Sequence, residues 1–110
     1  MKRILIVLVL CIALCGCGTD EKNVDIKKIM TENEYVIIDV RTSEEYKELH
    51  IKDSVNIPYD KLDSSLEKDK VIFVYCRSGA RSKVAYYTLK NMGYTVYDLG
   101  AFESIDLPKE

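Results

Sequence analysis

Short apolar segments alternate with amphipathic ones along the chain, and this alternation constrains the fold more than any other feature. The most apolar segment, Val71–Tyr75, predicts a strand that is buried on both faces. Shorter strands are predicted over 35–40, 54–57 and 94–99, with helices over 44–49, 59–66 and 82–92. Strands that alternate with helices are typical of α/β domains. We therefore predict one small α/β domain with a mostly parallel central sheet of about five short strands and helices on both faces.

The ends and faces of the predicted helices follow from single residues. Thr42 or Ser43 can cap a helix that begins at Glu44. The helix over 82–92 is expected to turn one stripe toward the sheet, formed by Val84, Ala85, Thr88, Leu89 and Met92. Gly93 supplies the left-handed residue that ends this helix.

The first 16 residues resemble a bacterial export signal. A basic start, Met1–Arg3, precedes an apolar run over 4–14, which is shorter than the roughly 20 residues that a membrane-spanning helix needs. The run ends in Leu-Cys-Gly-Cys, which is similar to the lipobox of bacterial lipoproteins, and this resemblance implies that Cys17 is the lipidated residue. The alternative is an ordinary signal peptide or anchor with incidental cysteines.

This interpretation divides the chain into a signal peptide over 1–16, a tether over 17–23 and one domain over 24–110. It predicts an exported protein that is lipid-anchored on the extracytoplasmic face of the membrane. The mature chain would have 94 residues, and Cys76 would be its one free thiol, which excludes an internal disulfide. The whole chain has a net charge of −2, so we expect no nucleic-acid partner.

The segment that carries chemistry is residues 76–82, Cys-Arg-Ser-Gly-Ala-Arg-Ser, directly after the predicted central strand. Ligands of parallel α/β domains bind beyond the carboxyl ends of the strands. Gly79 allows the backbone to curl so that successive N–H groups point at the sulfur, and the next helix adds its positive N-terminus. Together with Arg77 and Arg81 these groups favour a thiolate, so Cys76 is the predicted nucleophile. The alternative is a buried structural cysteine.

The types and positions of the basic residues favour the interpretation of Cys76 as a nucleophile over a structural cysteine. Residues 70–97 contain five basic residues and no acidic one, in an otherwise acidic chain. Arginine is rare, with four residues against twelve lysines, and those outside the predicted signal are Arg41, Arg77 and Arg81. The planar guanidinium suits bidentate contacts with oxyanions, which lysine cannot make.

Two separated motifs resemble those of rhodanese-like domains, over nearly all of residues 24–107. The first comprises Asp39–Arg41, Glu45–Tyr46, His50–Lys52 and Val55–Pro58; the second comprises Cys76–Arg81 and is continued by Met92–Tyr94. The resemblance implies a thiosulfate sulfurtransferase. A small anionic donor such as thiosulfate would pass its outer sulfur to Cys76, and cyanide or a thiol would then accept that sulfur.

The same resemblance implies roles for the loop. The N–H groups of residues 77–81 would hold the persulfide, and the donor's sulfonate end would bind the two arginines; these substrate-binding residues are Arg77, Ser78, Gly79, Ala80 and Arg81. No metal and no other cofactor is expected.

Two other functions stay open. One is a persulfide carrier that hands sulfur to a membrane partner without turnover. The other is a phosphatase or arsenate reductase. Related phosphatases use a Cys-x5-Arg loop, whereas Cys76 to Arg81 is Cys-x4-Arg, a tighter ring that suits one sulfur atom.

Other residues are interpreted as scaffold. Asp39 and Arg41 lie at the same predicted sheet edge as the thiol and are expected to support the loops, with Arg41 adding to the positive field. His50, the only histidine, is left out of the site. The chain has Asp53 and Gly100–Ala101 where the family usually has glycine and a glycine pair, and it has no tryptophan. These differences are expected to affect donor preference.

Overall fold

The computed structural model describes residues 24–110. The predicted signal peptide, the tether over 17–23 and the lipidation site Cys17 lie outside the described residues. Contacts divide the chain into two units, of which the first ends at Thr31 and the second is Glu32–Glu110. Helix α1 spans Ile26–Glu32. Among residues 24–110, none of the helices has the length and apolar character required to span a membrane.

The second unit is built on a parallel sheet. Its strands are β1 (Tyr35–Asp39), β2 (Val55–Asn56), β3 (Val71–Cys76) and β4 (Val96–Ala101). The strand order is β2-β1-β3-β4, and every neighbouring pair is parallel. The predicted α/β class and parallel sheet are therefore confirmed.

The strand number differs slightly from the prediction of about five, since the sheet formed by the described residues has four. A further backbone pairing exists, but it is only an isolated antiparallel bridge between Ile51 and Lys109. Lys52 N–H donates to the Pro108 carbonyl, and Pro108 has no N–H with which to return that bond. This pairing therefore does not grow into a fifth strand.

Helix α2 spans Ser43–Glu48 and helix α3 spans Ala80–Asn91, while short 3-10 turns cover Tyr59–Lys61 and Phe102–Ser104. In this strand order the connection from β1 to β2 leads to one edge of the sheet, and the connection from β3 to β4 leads to the other edge. Right-handed crossovers then place α2 and α3 on opposite faces. The helix predicted over 59–66 is wrong beyond its first turn.

Side-chain alternation along the strands divides the core between the two faces. One face carries Ile38, Val74 and Cys76, which pack in one cluster with Ala85 and Leu89 of α3. The stripe predicted for this helix is correct for these two residues and for Met92, which is partly buried against the same cluster, and wrong for Val84, which is 50% exposed. Helix α3 starts at Ala80 instead of Ser82 and turns Ser82, Ala85 and Leu89 inward.

Candidate active site

The loop that follows β3 brings backbone N–H groups to the sulfur of Cys76. Gly79 N–H donates to Cys76 Sγ at 3.0 Å, and Ser82 N–H donates to it at 3.2 Å. Gly79 has a φ of +100°, a backbone conformation that residues with a Cβ rarely adopt. The curl predicted at Gly79 is therefore present, and it aims two donors at the sulfur.

The early start of α3 explains why one of these donors is Ser82. Its N–H lies in the first helical turn, where N–H groups have no partner within the helix. The sulfur takes the position of a capping acceptor, and it also lies at the positive end of the helix dipole. Ser82 Oγ donates to the Gly79 carbonyl at 3.2 Å and closes the turn. Ser82 was not among the predicted site residues. A helix predicted to start at Ala80, two residues earlier, would have included it, because the Ser82 N–H then lies in the first turn.

The thiol itself is enclosed. Cys76 has no exposed surface, whereas Arg77, Ser78 and Ala80 beside it are exposed.

Arg81, in the first turn of helix α3, reaches helix α2. Its Nη1 and Nη2 donate to the two carboxylate oxygens of Glu45, at 2.9 and 3.2 Å. Arg77 Nε lies 3.9 Å from Glu45 Oε2, and the Arg77 side chain is 67% exposed. The structure thus brings both predicted loop arginines to one acidic residue that the sequence had identified only as part of the first motif.

Glu45 is held on its own helix as well. Thr42 caps α2, and a capping box joins the two residues: Thr42 Oγ1 accepts from Glu45 N–H, and Glu45 Oε1 accepts from Thr42 N–H at 3.0 Å. The hydrogen bond from Arg81 is the main reason that the pKa of Glu45 falls from near 4.5 to about 2. The same contact raises the pKa of Arg81. Both groups therefore stay charged over the physiological range.

Asp39 and Arg41 form a buried ion pair near the loop. The Arg41 Nη2–Asp39 Oδ2 distance is 2.6 Å, and Arg41 Nη2 also donates to the Leu49 carbonyl at 2.7 Å. Burial by itself lowers the pKa of Arg41, but the hydrogen bonds and charge of Asp39 outweigh it and the pKa is raised. The hydrogen bonds of Arg41 go to Asp39 and the chain after α2, an arrangement that suits the supporting role expected of this pair.

Three other residues from the sequence analysis have defined places. His50 Nδ1 lies 2.8 Å from the Tyr46 carbonyl, and its ring stacks on that of Tyr46. Asp53 has a φ of +67°, so the turn takes a left-handed conformation despite its side chain. Gly100 has a φ of +83° beside an irregularity in the β3–β4 pairing, and Ala101 pairs with Cys76. The rim next to the thiol is therefore formed partly by β4.

Comparison with known proteins matches this chain to the family model described as Rhodanese-like domain, over residues 23–105. The thiosulfate sulfurtransferase PspE of Escherichia coli K12 is 35% identical over 78 residues, which are 66% of this chain and 75% of that protein. A putative sulfur carrier protein of Bacillus subtilis, YrkF, is 34% identical over 71 residues, but the match spans only 38% of its length. A solved structure titled rhodanese with anions from E. coli is 33% identical with a TM-score of 0.65, covering 69% of this chain and 96% of that one.

Proposed function

The chain belongs to the rhodanese-like sulfurtransferase family, and we propose that it is a thiosulfate sulfurtransferase that works through a persulfide on Cys76. One observation carries this proposal. The sulfur of Cys76 accepts hydrogen bonds from the N–H groups of Gly79 and Ser82 at the N-terminus of α3. Two arginines, Arg77 and Arg81, lie in the same segment. N–H donors and cations around a cysteine sulfur are the groups that stabilise an anionic sulfur nucleophile.

In the first step the Cys76 thiolate attacks the outer sulfur of thiosulfate. The new bond joins the two sulfurs, the S–S bond of the donor breaks, and sulfite leaves with the bonding electron pair. Total charge is unchanged, since a thiolate and a dianion become a persulfide anion and sulfite. The N–H groups of Gly79 and Ser82 would stabilise the persulfide anion, and Arg77 and Arg81 would interact with the sulfonate end and with departing sulfite.

In the second step an acceptor removes the sulfur. Cyanide attacks the terminal sulfur of the persulfide, the persulfide S–S bond breaks, and thiocyanate and the Cys76 thiolate result. A thiol acceptor would take the same sulfur as a persulfide. These steps need the side chains of Cys76 and of the two arginines, Arg77 and Arg81. Neither step requires a metal or a general base once the thiolate exists.

The proposal predicts thiocyanate formation from thiosulfate and cyanide by the wild-type protein and none above background by Cys76→Ser. Serine keeps the size of the side chain but is not a nucleophile at neutral pH. Lys90→Gln on the exposed side of α3 is the matched control and should behave as wild type. Activity that survives in Cys76→Ser would contradict the proposal.

A persulfide carrier is the second candidate. Two observations favour it: the similarity to the putative sulfur carrier protein of Bacillus subtilis, and the complete burial of Cys76, which would protect a persulfide from solvent. A carrier would gain one sulfur from a donor but show no repeated thiocyanate turnover in the assay above.

We further propose that the protein is exported and anchored by lipid on Cys17. This rests on the basic start, the apolar run and the Leu-Cys-Gly-Cys sequence. Each buried methylene stabilises membrane binding by about 0.8 kcal/mol, so several acyl chains would hold the domain firmly while one would not. Radiolabelled fatty acid should enter the wild type in bacterial cells and not Cys17→Ala, with Cys15→Ala as the matched control. Equal labelling of wild type and Cys17→Ala would contradict the anchor.

A further inference from the structure

We infer that Glu45 is a specificity-determining residue of the site. Its carboxylate pairs with the Arg81 guanidinium in the way that a substrate anion would, and it reduces the positive charge that an approaching anion meets. The inference rests on the proposed function only for the identity of that anion. The charge arrangement itself is a property of the loop and of α2.

The Glu45 carboxylate is fixed from both sides. Oε1 accepts from Arg81 Nη1 at 2.9 Å, from Thr42 N–H at 3.0 Å and from Thr42 Oγ1 at 3.1 Å. Oε2 accepts from Arg81 Nη2 at 3.2 Å and lies 3.9 Å from Arg77 Nε. Bidentate pairing with arginine is the geometry in which a guanidinium also binds a sulfonate or phosphate. A donor that needs this fork of Arg81 must therefore displace Glu45.

The two arginines differ in what they offer a substrate. The Arg81 side chain is 29% exposed and is joined to Glu45 by two hydrogen bonds, while Arg77 is 67% exposed and its nitrogen lies at the longer distance of 3.9 Å. Arg77 is accordingly the cation that a donor meets first, and Arg81 is held in a fixed position beside the loop. Among these three side chains the net charge is one positive, whereas the two arginines alone would give two.

A fixed carboxylate repels an approaching anion in proportion to the anion's charge. Thiosulfate is a dianion, whereas the acceptor cyanide is at most a monoanion. Glu45 therefore disfavours the donor more than the acceptor. In the Glu45→Gln variant the KM for thiosulfate should fall by about threefold, with a smaller change for cyanide.

A chemical probe tests the same charge without requiring sulfur transfer. Iodoacetate and iodoacetamide both alkylate a thiolate, but only the first is an anion. The ratio of their rates at Cys76 reports the local field, because a changed thiolate fraction affects both reagents equally. Glu45→Gln keeps the capping box, since glutamine serves at that position as well as glutamate. Glu44→Gln is the matched control, with the same charge change on an exposed neighbour in the same helical turn.

In Glu45→Gln the iodoacetate to iodoacetamide rate ratio should rise by about threefold at low salt, and in Glu44→Gln it should change much less. An unchanged ratio in Glu45→Gln, or an equal rise in both variants, would overturn the inference. So would a failure of both reagents to alkylate Cys76, because no anion would then reach the thiol. A raised ratio in a protein that forms no thiocyanate would support the role of Glu45 and contradict the proposed function alone.

Discussion

One residue before the proposed nucleophile, Tyr75 joins three segments of the chain through its hydroxyl. The hydroxyl donates to Asp39 Oδ2 at 2.7 Å and accepts from Ile51 N–H at 3.0 Å. Ser54 Oγ lies 3.3 Å away. Burial is the main cause that raises the pKa of Tyr75 to about 12. This group therefore stabilises the fold below pH 10, and that contribution is lost as the pH rises toward 12.

Tyr75→Phe is expected to lower the free energy of unfolding by about 1–3 kcal/mol, because Ile51 N–H and Asp39 Oδ2 would each lose a buried partner. Urea denaturation at pH 7 measures this. The matched control is Tyr87→Phe on the exposed side of α3, which should stay within about 0.5 kcal/mol of wild type. An equal, small loss in both variants would contradict the structural role of the hydroxyl.

At the scale of elements, the strand–loop–helix unit formed by β3, the loop and α3 constructs the site from one continuous stretch of chain. A strand buried on both faces fixes the position of Cys76, and the left-handed Gly79 turns the chain so that α3 begins four residues after the thiol. The first helical turn then supplies an N–H to the sulfur. This unit could be predicted because its strand, its turn residue and its helix each have a local pattern.

Gly79→Ala tests the turn. A Cβ at this position would have room, since its nearest neighbour is Ala101 N at 3.9 Å, so the cost arises from the backbone conformation. We expect a loss of about 1–2 kcal/mol in stability and of about tenfold or more in sulfur transfer per folded molecule. Urea denaturation and the thiocyanate assay measure the two effects.

Gly93→Ala is the control for this change. Gly93 has a φ of +95° at the other end of α3, so alanine should destabilise the protein similarly and leave the rate per folded molecule unchanged. If both variants lost the same stability and neither lost rate, Gly79 would have no role in the reaction.

Other elements show where local patterns fail. Residues 59–66 have apolar residues at helical spacing, yet only one 3-10 turn forms, and Leu62 and Leu66 pack against the core from irregular backbone. Val84 has the hydropathy of a core residue but lies on the solvent side of α3. An apolar residue alone does not determine whether its segment is a helix or irregular backbone, or whether its side chain faces the core or the solvent. In both cases packing against the rest of the domain determined the outcome.

For the whole molecule, the sequence was sufficient for the α/β class, the parallel sheet and the turn at Gly79, but not for contacts between distant segments. The pairing of Glu45 with Arg81 joins residues 36 positions apart. The sequence marks Glu45 as part of the first motif, but nothing local to α2 shows that its carboxylate pairs with Arg81. The bridge between Ile51 and Lys109 was missed for the same reason, because its two partners are remote in the chain. Such contacts depend on how distant segments of the second unit pack together, and a pattern within one segment does not encode them.

The central claim is that Cys76 carries sulfur as a persulfide, and the intact mass of the protein after incubation with thiosulfate tests it most directly. The wild type should gain about 32 Da, the mass of one sulfur atom, and lose it again when cyanide is added. Cys76→Ser should gain nothing under the same conditions. A wild-type mass that does not change, or an equal gain in Cys76→Ser, would contradict the account.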